Sequence, residues 1–298
     1  MGVGYGDEVV TAANTFPSTV GAIAELGAKP VLVDVTNTFC MDVSQIQEVV
    51  TKNTKAIVPV HFTGYMTDMS ELMGLAENRG IPVVEDACQS ILASFHGQNA
   101  GTWGTSGAFS LHPLKNLNVW SDGGVIVTND SEVAKSLRIM RNNGLSDRNN
   151  MVALGCNSRL DTIQAVVGNW LLPKTEEITK KRIENAAYYD CHLSSISQLR
   201  IPPRPKDYRI VYHLYVVFAE RRDDLVEFCK QHGVEAKIHY PKPLYLQPAL
   251  SHLGYSKGDF PVTDQHARSV ITFPCDQHLT QEQLSYVVSV IKEFYEIP

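Results

Sequence analysis

The first 130 residues alternate between short apolar runs and amphipathic stretches, and this alternation constrains the fold more than any other feature of the sequence. The apolar runs are β-branched and nearly continuous, as expected of parallel strands covered on both faces. They lie at 7–13, 29–35, 55–62, 81–87, 105–112 and 123–129. The stretches between them have helical spacing, at 18–26, 43–51 and 68–80. The alternation predicts an α/β domain with a mostly parallel central sheet flanked by helices.

The pattern changes in the second half of the chain. Two helical segments at 131–143 and 158–194 are followed by a proline-rich connector and a strand-like alternation at 201–219. Further helical and strand-like runs and a terminal amphipathic helix complete a mixed pattern, which predicts a smaller α+β domain. We therefore expect a large α/β domain at 1–180 and a small C-terminal domain at 181–298.

The composition is that of an ordinary globular protein. Of 298 residues, 44% are hydrophobic and 19% charged. A net charge of −6 without a long basic run argues against nucleic-acid binding. No apolar run reaches the ~18–20 residues that span a bilayer, and the N-terminus does not resemble a signal peptide. Six widely spaced cysteines are expected to be small buried residues rather than metal ligands or disulfides, in a reducing cytoplasm.

Polar residues follow two of the predicted strands, at the edge where open α/β sheets bind ligands. Asp86 and Gln89 lie in VVEDACQS, and Ser110 and Lys115 lie in FSLHPLKNL. Taken singly, Asp86 could cap a helix, Ser110 could belong to a turn, and Lys115 could be a solvated loop amine. Together with Phe16 in TAANTFPST, they match the groups that hold pyridoxal phosphate: a carboxylate, a phosphate donor, a reactive lysine and an aromatic face.

Essentially the whole chain resembles the DegT/DnrJ/EryC1/StrS family of sugar aminotransferases, which are pyridoxal-phosphate enzymes of the aspartate-aminotransferase fold (fold type I). The ordered matches include GVGYGDEVV, AELGAKPVLVDV, KAIVPVHFTG, VVEDACQS, FSLHPLKNL, NSRLDTIQAVVG and IHYPKPLYLQPA. The resemblance implies transfer of an amino group from L-glutamate, which leaves as 2-oxoglutarate, to a keto-sugar linked to dTDP, UDP or GDP. Such reactions serve amino-sugar biosynthesis, including that of lipopolysaccharide O-antigen. IHYPKPLYLQPA favours amination at C3 over C4, by resemblance only.

The resemblance also implies roles for individual residues. Lys115 would bind the cofactor covalently and move the proton during transfer. Asp86 would pair with the ring nitrogen, and Gln89 would lie beside the ring hydroxyl. Phe16 would stack on the ring, and Ser110 would bind the phosphate.

Further residues match positions near the substrate or at a subunit contact. Asn157 would reach the phosphate of the neighbouring subunit's cofactor, which implies a homodimer with shared active sites. His239, Tyr240 and Lys242 are candidate contacts to the sugar or its diphosphate. For His239 and His213, a core or hinge histidine is an equally good interpretation.

The sequence departs from the family pattern at its start. The family usually carries a further segment before GVGYGDEVV, with a Ser-Gly-Thr turn that opens a helix and binds the phosphate. The sequence is then a fragment, has a misplaced start, or comes from a lineage that has lost the segment, and in each case we expect this chain to lack phosphate donors and part of the dimer contact. His61 and His112 match variable positions, for which a structural role is at least as good an interpretation as a catalytic one. Two alternatives to an aminotransferase are a non-catalytic partner or regulator and a sugar dehydratase. In the dehydratases histidine replaces the lysine, so Lys115 argues against the second.

Overall fold

The protein is described here by a computed structural model that covers residues 1–297. Its strands are β1 (Glu8–Ala12), β2 (Lys29–Val33), β3 (Thr54–Val58), β4 (Val84–Asp86), β5 (Ser94–Phe95), β6 (Gln98–Asn99), β7 (Ser106–Ser110), β8 (Gly124–Val127), β9 (Leu145–Asp147), β10 (Asn150–Met151), β11 (Leu199–Arg200), β12 (Tyr208–Arg209), β13 (Tyr215–Ala219) and β14 (Val270–Phe273). Its α-helices are α1 (Pro17–Glu25), α2 (Ile46–Val49), α3 (Met69–Arg79), α4 (Ser131–Met140), α5 (Thr162–Leu171), α6 (Thr175–Leu193), α7 (Arg222–Gln231), α8 (Pro261–Ser269) and α9 (Gln281–Phe294). Single-turn and longer 3-10 helices lie at Val43–Gln45, Phe62–Gly64, Leu172–Lys174, Leu244–Leu246 and Pro248–Leu253.

The candidate site stands on a central sheet whose strands follow the order β2–β1–β3–β4–β7–β8. β1 pairs in parallel with both β2 and β3, and β4 pairs in parallel with β7. Isolated parallel bridges, Ile57 to Val83 and Val60 to Asp86, join β3 to β4. β8 runs antiparallel to β7 at the edge. The mostly parallel sheet predicted from the sequence is therefore confirmed.

Helices on this sheet follow from their capping residues and apolar spacing. The Asp68 carboxylate accepts the backbone N–H of Glu71 at the start of α3, and Gly80 ends that helix with φ 64°. Met69, Leu72 and Ala76 of α3 are buried against the strands, at helical spacing. Burial of each large apolar side chain contributes roughly 1.5–3 kcal/mol, so this stripe holds α3 to the sheet.

A second core surrounds a small antiparallel sheet in the order β11–β13–β14. Its apolar cluster draws on α6, α7 and α9 and includes Tyr189, Tyr215 and Ile291. This mixture of helices and antiparallel strands fits the α+β pattern read from the sequence. The predicted boundary at residue 180 falls inside α6, and the division into 1–180 and 181–298 stays a prediction.

Two local expectations are corrected. Within 201–219 only the short β12 and the five-residue β13 form, because Tyr212 between them has φ 45°, outside the extended region that a continuous strand needs. All six cysteines are unpaired, but Cys156 and Cys191 are exposed rather than buried. Cys156 lies in a segment with little cover, and Cys191 faces outward from α6. Among residues 1–297, no helix is both long and apolar enough to cross a membrane.

The segment 120–174 has almost no core of its own. Neither α4 nor α5 has a buried residue. Ile163, Val166 and Trp170 share one face of α5, and each is 64% exposed. Trp120 is 79% exposed. Monomeric proteins rarely leave apolar residues this large uncovered on one face. We call the exposed apolar surface of this segment the 120–174 face, and it is suited to contact with another protein surface.

Candidate active site

Asp86 and Lys115 lie at the carboxyl edge of the central sheet because they follow neighbouring parallel strands. Asp86 is the last residue of β4, opposite Ala108 of β7. Lys115 lies in the loop after β7, where its N–H donates to the His112 carbonyl at 2.9 Å. The Asn118 side chain donates to the Lys115 carbonyl at 2.9 Å. These bonds hold the lysine backbone in place beside the strand end.

Two donors fix the Asp86 carboxylate. The Thr19 hydroxyl donates to Oδ2 at 2.7 Å, and the Cys88 N–H donates to Oδ1 at 3.2 Å. A carboxylate offers about four lone-pair sites, so two bonds leave acceptor capacity for a ligand. A fixed, half-buried carboxylate at this edge can pair with a protonated ring nitrogen.

The Lys115 amine is set apart from a surface lysine by its surroundings. Burial lowers its pKa below the ordinary lysine value, and the nearby Cys88 and Asp86 oppose that shift. Burial acts this way because it penalises the charged form. A larger share of the amine is therefore neutral, which is the form that attacks a carbonyl carbon.

Gln89 has one end of its amide fixed. Its Oε1 accepts the Thr63 N–H at 2.7 Å, which leaves the NH₂ group to donate elsewhere. Thr63 itself has φ 61°, an uncommon value for a residue with a side chain. Because the Thr63 N–H in this turn holds the Gln89 oxygen, only the NH₂ end of the Gln89 amide can face a ligand.

Ser110 is the last residue of β7. Its Oγ accepts the His112 N–H at 3.2 Å, so its own hydroxyl proton stays available for an anion. A neutral serine with a free donor can bind a phosphate oxygen, and this role of Ser110 stays a prediction.

Aromatic rings form one wall of the site. Phe16 begins α1 as its N-cap residue and is 52% exposed, so its ring is open to a ligand. Its centroid lies 6.3 Å from that of Tyr240, which lies 5.9 Å from that of Phe62. Burial, with a smaller effect of the Asp86 charge, raises the pKa of Tyr240 to about 12. Tyr240 is therefore a neutral donor near Asp86.

The two other predicted substrate residues differ in setting. A ring nitrogen of His239, Nδ1, lies 2.8 Å from the Thr272 hydroxyl. Burial first, then the charges of Lys237 and Lys115, lowers the pKa of His239 to about 4, so the ring is neutral near pH 7. Lys242 is exposed, two residues beyond Tyr240.

Asn157 is not brought into the cluster around Lys115. It is exposed and forms a bridge with Asn142, within the segment that carries the 120–174 face. No hydrogen bond within residues 1–297 joins it to Asp86 or Lys115. Of the nine predicted residues, Asp86, Gln89, Ser110 and Lys115 lie at or just after the ends of β4 and β7. Phe16, His239 and Tyr240 lie near them, Lys242 is exposed two residues further on, and Asn157 lies elsewhere on the surface.

His61 and His213 also lie near the site. His61 Nε2 lies 2.9 Å from Glu85 Oε2, with both side chains fully buried. The imidazole of His213 has a buried Nδ1 without a partner among the described residues. Burial, then the charge of Lys115, lowers its pKa well below the ordinary value. His61 therefore acts inside the fold, whereas His213 is a neutral ring beside the lysine.

Sequence reasoning missed Thr19, Thr63 and Cys88. Thr19 lies on the first turn of α1, and the i, i+4 pair of threonines in TAANTFPST was a usable signal. Thr63 acts through its backbone, so its residue type carries no trace of its role. Cys88 lies within VVEDACQS, but its position beside Asp86 follows only from the turn after β4.

Known proteins resemble this chain over nearly its whole length. A model of the DegT/DnrJ/EryC1/StrS aminotransferase family matches residues 1–292. A "pleiotropic regulatory protein" of Geobacillus stearothermophilus is 41% identical over 99% of this chain and 80% of its own length. A UDP-N-acetyl-3-dehydro-α-D-glucosamine 3-aminotransferase of Acidithiobacillus ferrooxidans is 36% identical over 97% of this chain and 78% of its own. The crystal structure of DesV from S. venezuelae, solved with a ketimine intermediate, is 34% identical, covers 100% of this chain and 80% of its own, and gives a TM-score of 0.96.

The fold is therefore that of a fold type I pyridoxal-phosphate-dependent transferase. Within that class, the chain belongs to the DegT/DnrJ/EryC1/StrS aminotransferase family.

Proposed function

We propose that the protein is a pyridoxal-phosphate-dependent aminotransferase that moves the amino group of L-glutamate to a nucleotide-linked keto-sugar. The observation that carries the proposal is the pairing of a fixed strand-end carboxylate, Asp86, with the buried amine of Lys115 at one edge of the sheet. The relatives named above that have assigned reactions support it. No feature of this site favours the dehydratase or the regulator.

The donor set fits pyridoxal phosphate. Asp86 would pair with its ring nitrogen, Gln89 would donate to the ring hydroxyl, and the Phe16 ring would cover one face. Ser110 would donate to the phosphate. When bound, the cofactor supplies a ring that withdraws electrons and stabilises the charge left when a substrate carbon loses a proton.

Lys115 has two tasks in this proposal. Lys115 would hold the cofactor through its amine, and the same group, once free, would accept a proton from a substrate carbon and return it. Burial serves both tasks, because a lowered pKa brings the amine nearer to the operating pH. Asp86, held by its two hydrogen bonds, would stay opposite the ring nitrogen throughout.

The sugar would lie toward His239 and Tyr240, with Lys242 at the exposed end, where an ammonium group suits a diphosphate. The A. ferrooxidans relative is named as a 3-aminotransferase, which supports amination at C3.

All six cysteines are unpaired, as expected in a reducing compartment, and we place the reaction in the cytoplasm.

A screen of 3-keto and 4-keto sugars, each linked to dTDP, UDP or GDP, tests this function. The purified protein is loaded with pyridoxal phosphate and given glutamate and one sugar, and mass spectrometry follows the amino-sugar and 2-oxoglutarate. We expect product from a 3-keto sugar and none from the Lys115→Ala variant. Equal product from wild type and Lys115→Ala would overturn the assignment.

We further propose a homodimer in which the 120–174 face contacts a second copy, with Asn157 reaching the partner's phosphate site. Its support is the uncovered apolar face of α5 and the exposed position of Asn157 on the same segment. Light scattering after size exclusion should give twice the 33.0 kDa chain mass. Trp170→Glu should give a monomer, whereas Tyr286→Glu, on the distant α9, should not. A monomeric wild type would contradict the dimer.

A further inference from the structure

We infer that Thr15 and Thr19 form a directed hydrogen-bond relay that positions Asp86 for the cofactor's ring nitrogen. Thr19 is then a positioning residue, and the relay helps to keep the proton on that nitrogen. The inference rests on the proposed function and adds two residues that the sequence did not single out.

The direction of the relay follows from counting hydrogens. The Thr19 hydroxyl lies 2.7 Å from Asp86 Oδ2, and an ionised carboxylate can only accept, so Thr19 donates. Thr15 Oγ1 lies 2.8 Å from Thr19 Oγ1. Because the single Thr19 proton is already given to Asp86, Thr15 is the donor in that bond. The chain therefore runs from Thr15 to Thr19 to Asp86.

The relay is shielded from water. Thr15 is 1% exposed and Thr19 is 7% exposed. In such a setting, hydrogen bonds to a charged group are stronger than in water, and successive bonds polarise each other. These bonds hold Asp86 in one orientation, so its carboxylate can stay opposite a ring nitrogen and stabilise the protonated form of that nitrogen.

The relay also joins two parts of the site in one unit. Thr15 and Thr19 flank Phe16, and Thr19 belongs to the first turn of α1. Through Thr19, the turn that presents the Phe16 ring is bonded to the carboxylate that would pair with the edge of the same cofactor. The spacing between the stacking face and the carboxylate is thereby fixed before a ligand binds.

A purely structural role, in which the relay only ties α1 to β4, makes a different prediction. In that case, loss of the Thr19 hydroxyl would lower the melting temperature without changing the protonation of the ring nitrogen. The two roles are separated by nuclear magnetic resonance of pyridoxal phosphate labelled with ¹⁵N in the ring, because the ¹⁵N chemical shift reports the proton on that atom. Cofactor affinity and melting temperature are measured on the same samples.

Thr19→Val removes the donor at nearly constant volume, and Thr19→Ser retains it. We expect a protonated ring nitrogen in wild type and Thr19→Ser, and a shift toward the unprotonated value in Thr19→Val, with about tenfold weaker cofactor binding. Thr15→Val should give a smaller shift of the same sign. Thr179→Val is the matched control, because Thr179 is fully buried on α6, its hydroxyl has no partner among residues 1–297, and its loss should leave the shift unchanged.

The outcomes are distinct. A wild-type shift and affinity in folded Thr19→Val would overturn the relay while leaving the proposed function intact. If wild type itself binds no cofactor, the proposed function fails, and the relay's role fails with it. If Thr19→Val does not fold, Thr15→Val decides: a displaced ¹⁵N shift supports the relay, and a wild-type shift contradicts it.

Discussion

His61 and Glu85 form a fully buried pair directly beneath the candidate site, with His61 Nε2 2.9 Å from Glu85 Oε2. The Thr67 N–H donates to His61 Nδ1 at 3.3 Å, so the ring proton lies on Nε2 and is donated to Glu85. Glu85 also accepts backbone N–H groups of Gly101, Trp103 and Gly104 at 2.7–2.8 Å. Burial raises the pKa of the Glu85 carboxyl, but the hydrogen bonds from His61 and from the Gly104 and Gly101 N–H groups together outweigh burial and hold that pKa below its usual value.

Replacing Glu85 should therefore be costly. Glu85→Ala leaves a buried imidazole N–H and three backbone N–H groups without their acceptor, and we expect a loss of about 3–5 kcal/mol in the free energy of unfolding. Urea unfolding measures the loss. Glu77→Ala, at an exposed position on α3, should change the same quantity by less than about 0.5 kcal/mol. A Glu85→Ala protein within about 1 kcal/mol of wild type would show that the pair does not hold this region together.

Gly64 is predicted to resist substitution because of a close backbone approach. It has φ 108°, and a Cβ there would lie 2.6 Å from the Tyr212 backbone nitrogen. Gly64→Ala should lower the free energy of unfolding by about 1–3 kcal/mol and displace the loop that carries His213. Gly74→Ala is the matched control: it lies within α3 with open space around it, and alanine should stabilise that helix by about 0.5–1 kcal/mol. Equal changes in the free energy of unfolding for the two variants would contradict the claim that Gly64 has no room for a Cβ.

His266 should make stability sensitive to acid. The ring lies between Phe39 and Phe218, with centroids 5.1 and 5.0 Å away, and neither nitrogen has a partner among the described residues. Burial lowers its pKa from 6.5 to about 4, while nearby Asp34 opposes and Arg200 assists the shift. Between these values the unfolded chain binds a proton that the folded chain does not, so stability falls as pH falls from about 6.5 to about 4, by roughly 3 kcal/mol in total.

His266→Phe should remove this part of the pH dependence. Denaturant unfolding at several pH values between 4 and 7 gives the difference between variant and wild type, in which the contributions of His213 and His239 cancel. As pH falls, the free energy of unfolding of the variant should rise relative to that of wild type. His252→Gln, at an exposed position, should keep the wild-type slope. Parallel curves for His266→Phe and wild type would mean that His266 does not titrate in this range.

The sequence was sufficient for the central sheet and for much of the candidate site, for physical reasons. Buried parallel strands need continuous β-branched runs, so their positions were visible, and a residue at a strand end must lie at the sheet's carboxyl edge. Contacts made by backbone atoms leave no such trace, which is why the Thr63 bond to Gln89 was missed. The 120–174 face was also missed, because apolar spacing on α5 predicts burial without saying by what.

The central claim is that Lys115 bonds to pyridoxal phosphate, and chemical trapping tests it most directly. The protein is incubated with pyridoxal phosphate, reduced with borohydride to make the bond permanent, digested, and read by mass spectrometry. The account predicts the cofactor's mass on the peptide that contains Lys115, with no such adduct at the exposed Lys242, and complete loss of the Lys115 adduct in the Lys115→Ala protein. Absence of an adduct on Lys115, or equal labelling of Lys242, would contradict it.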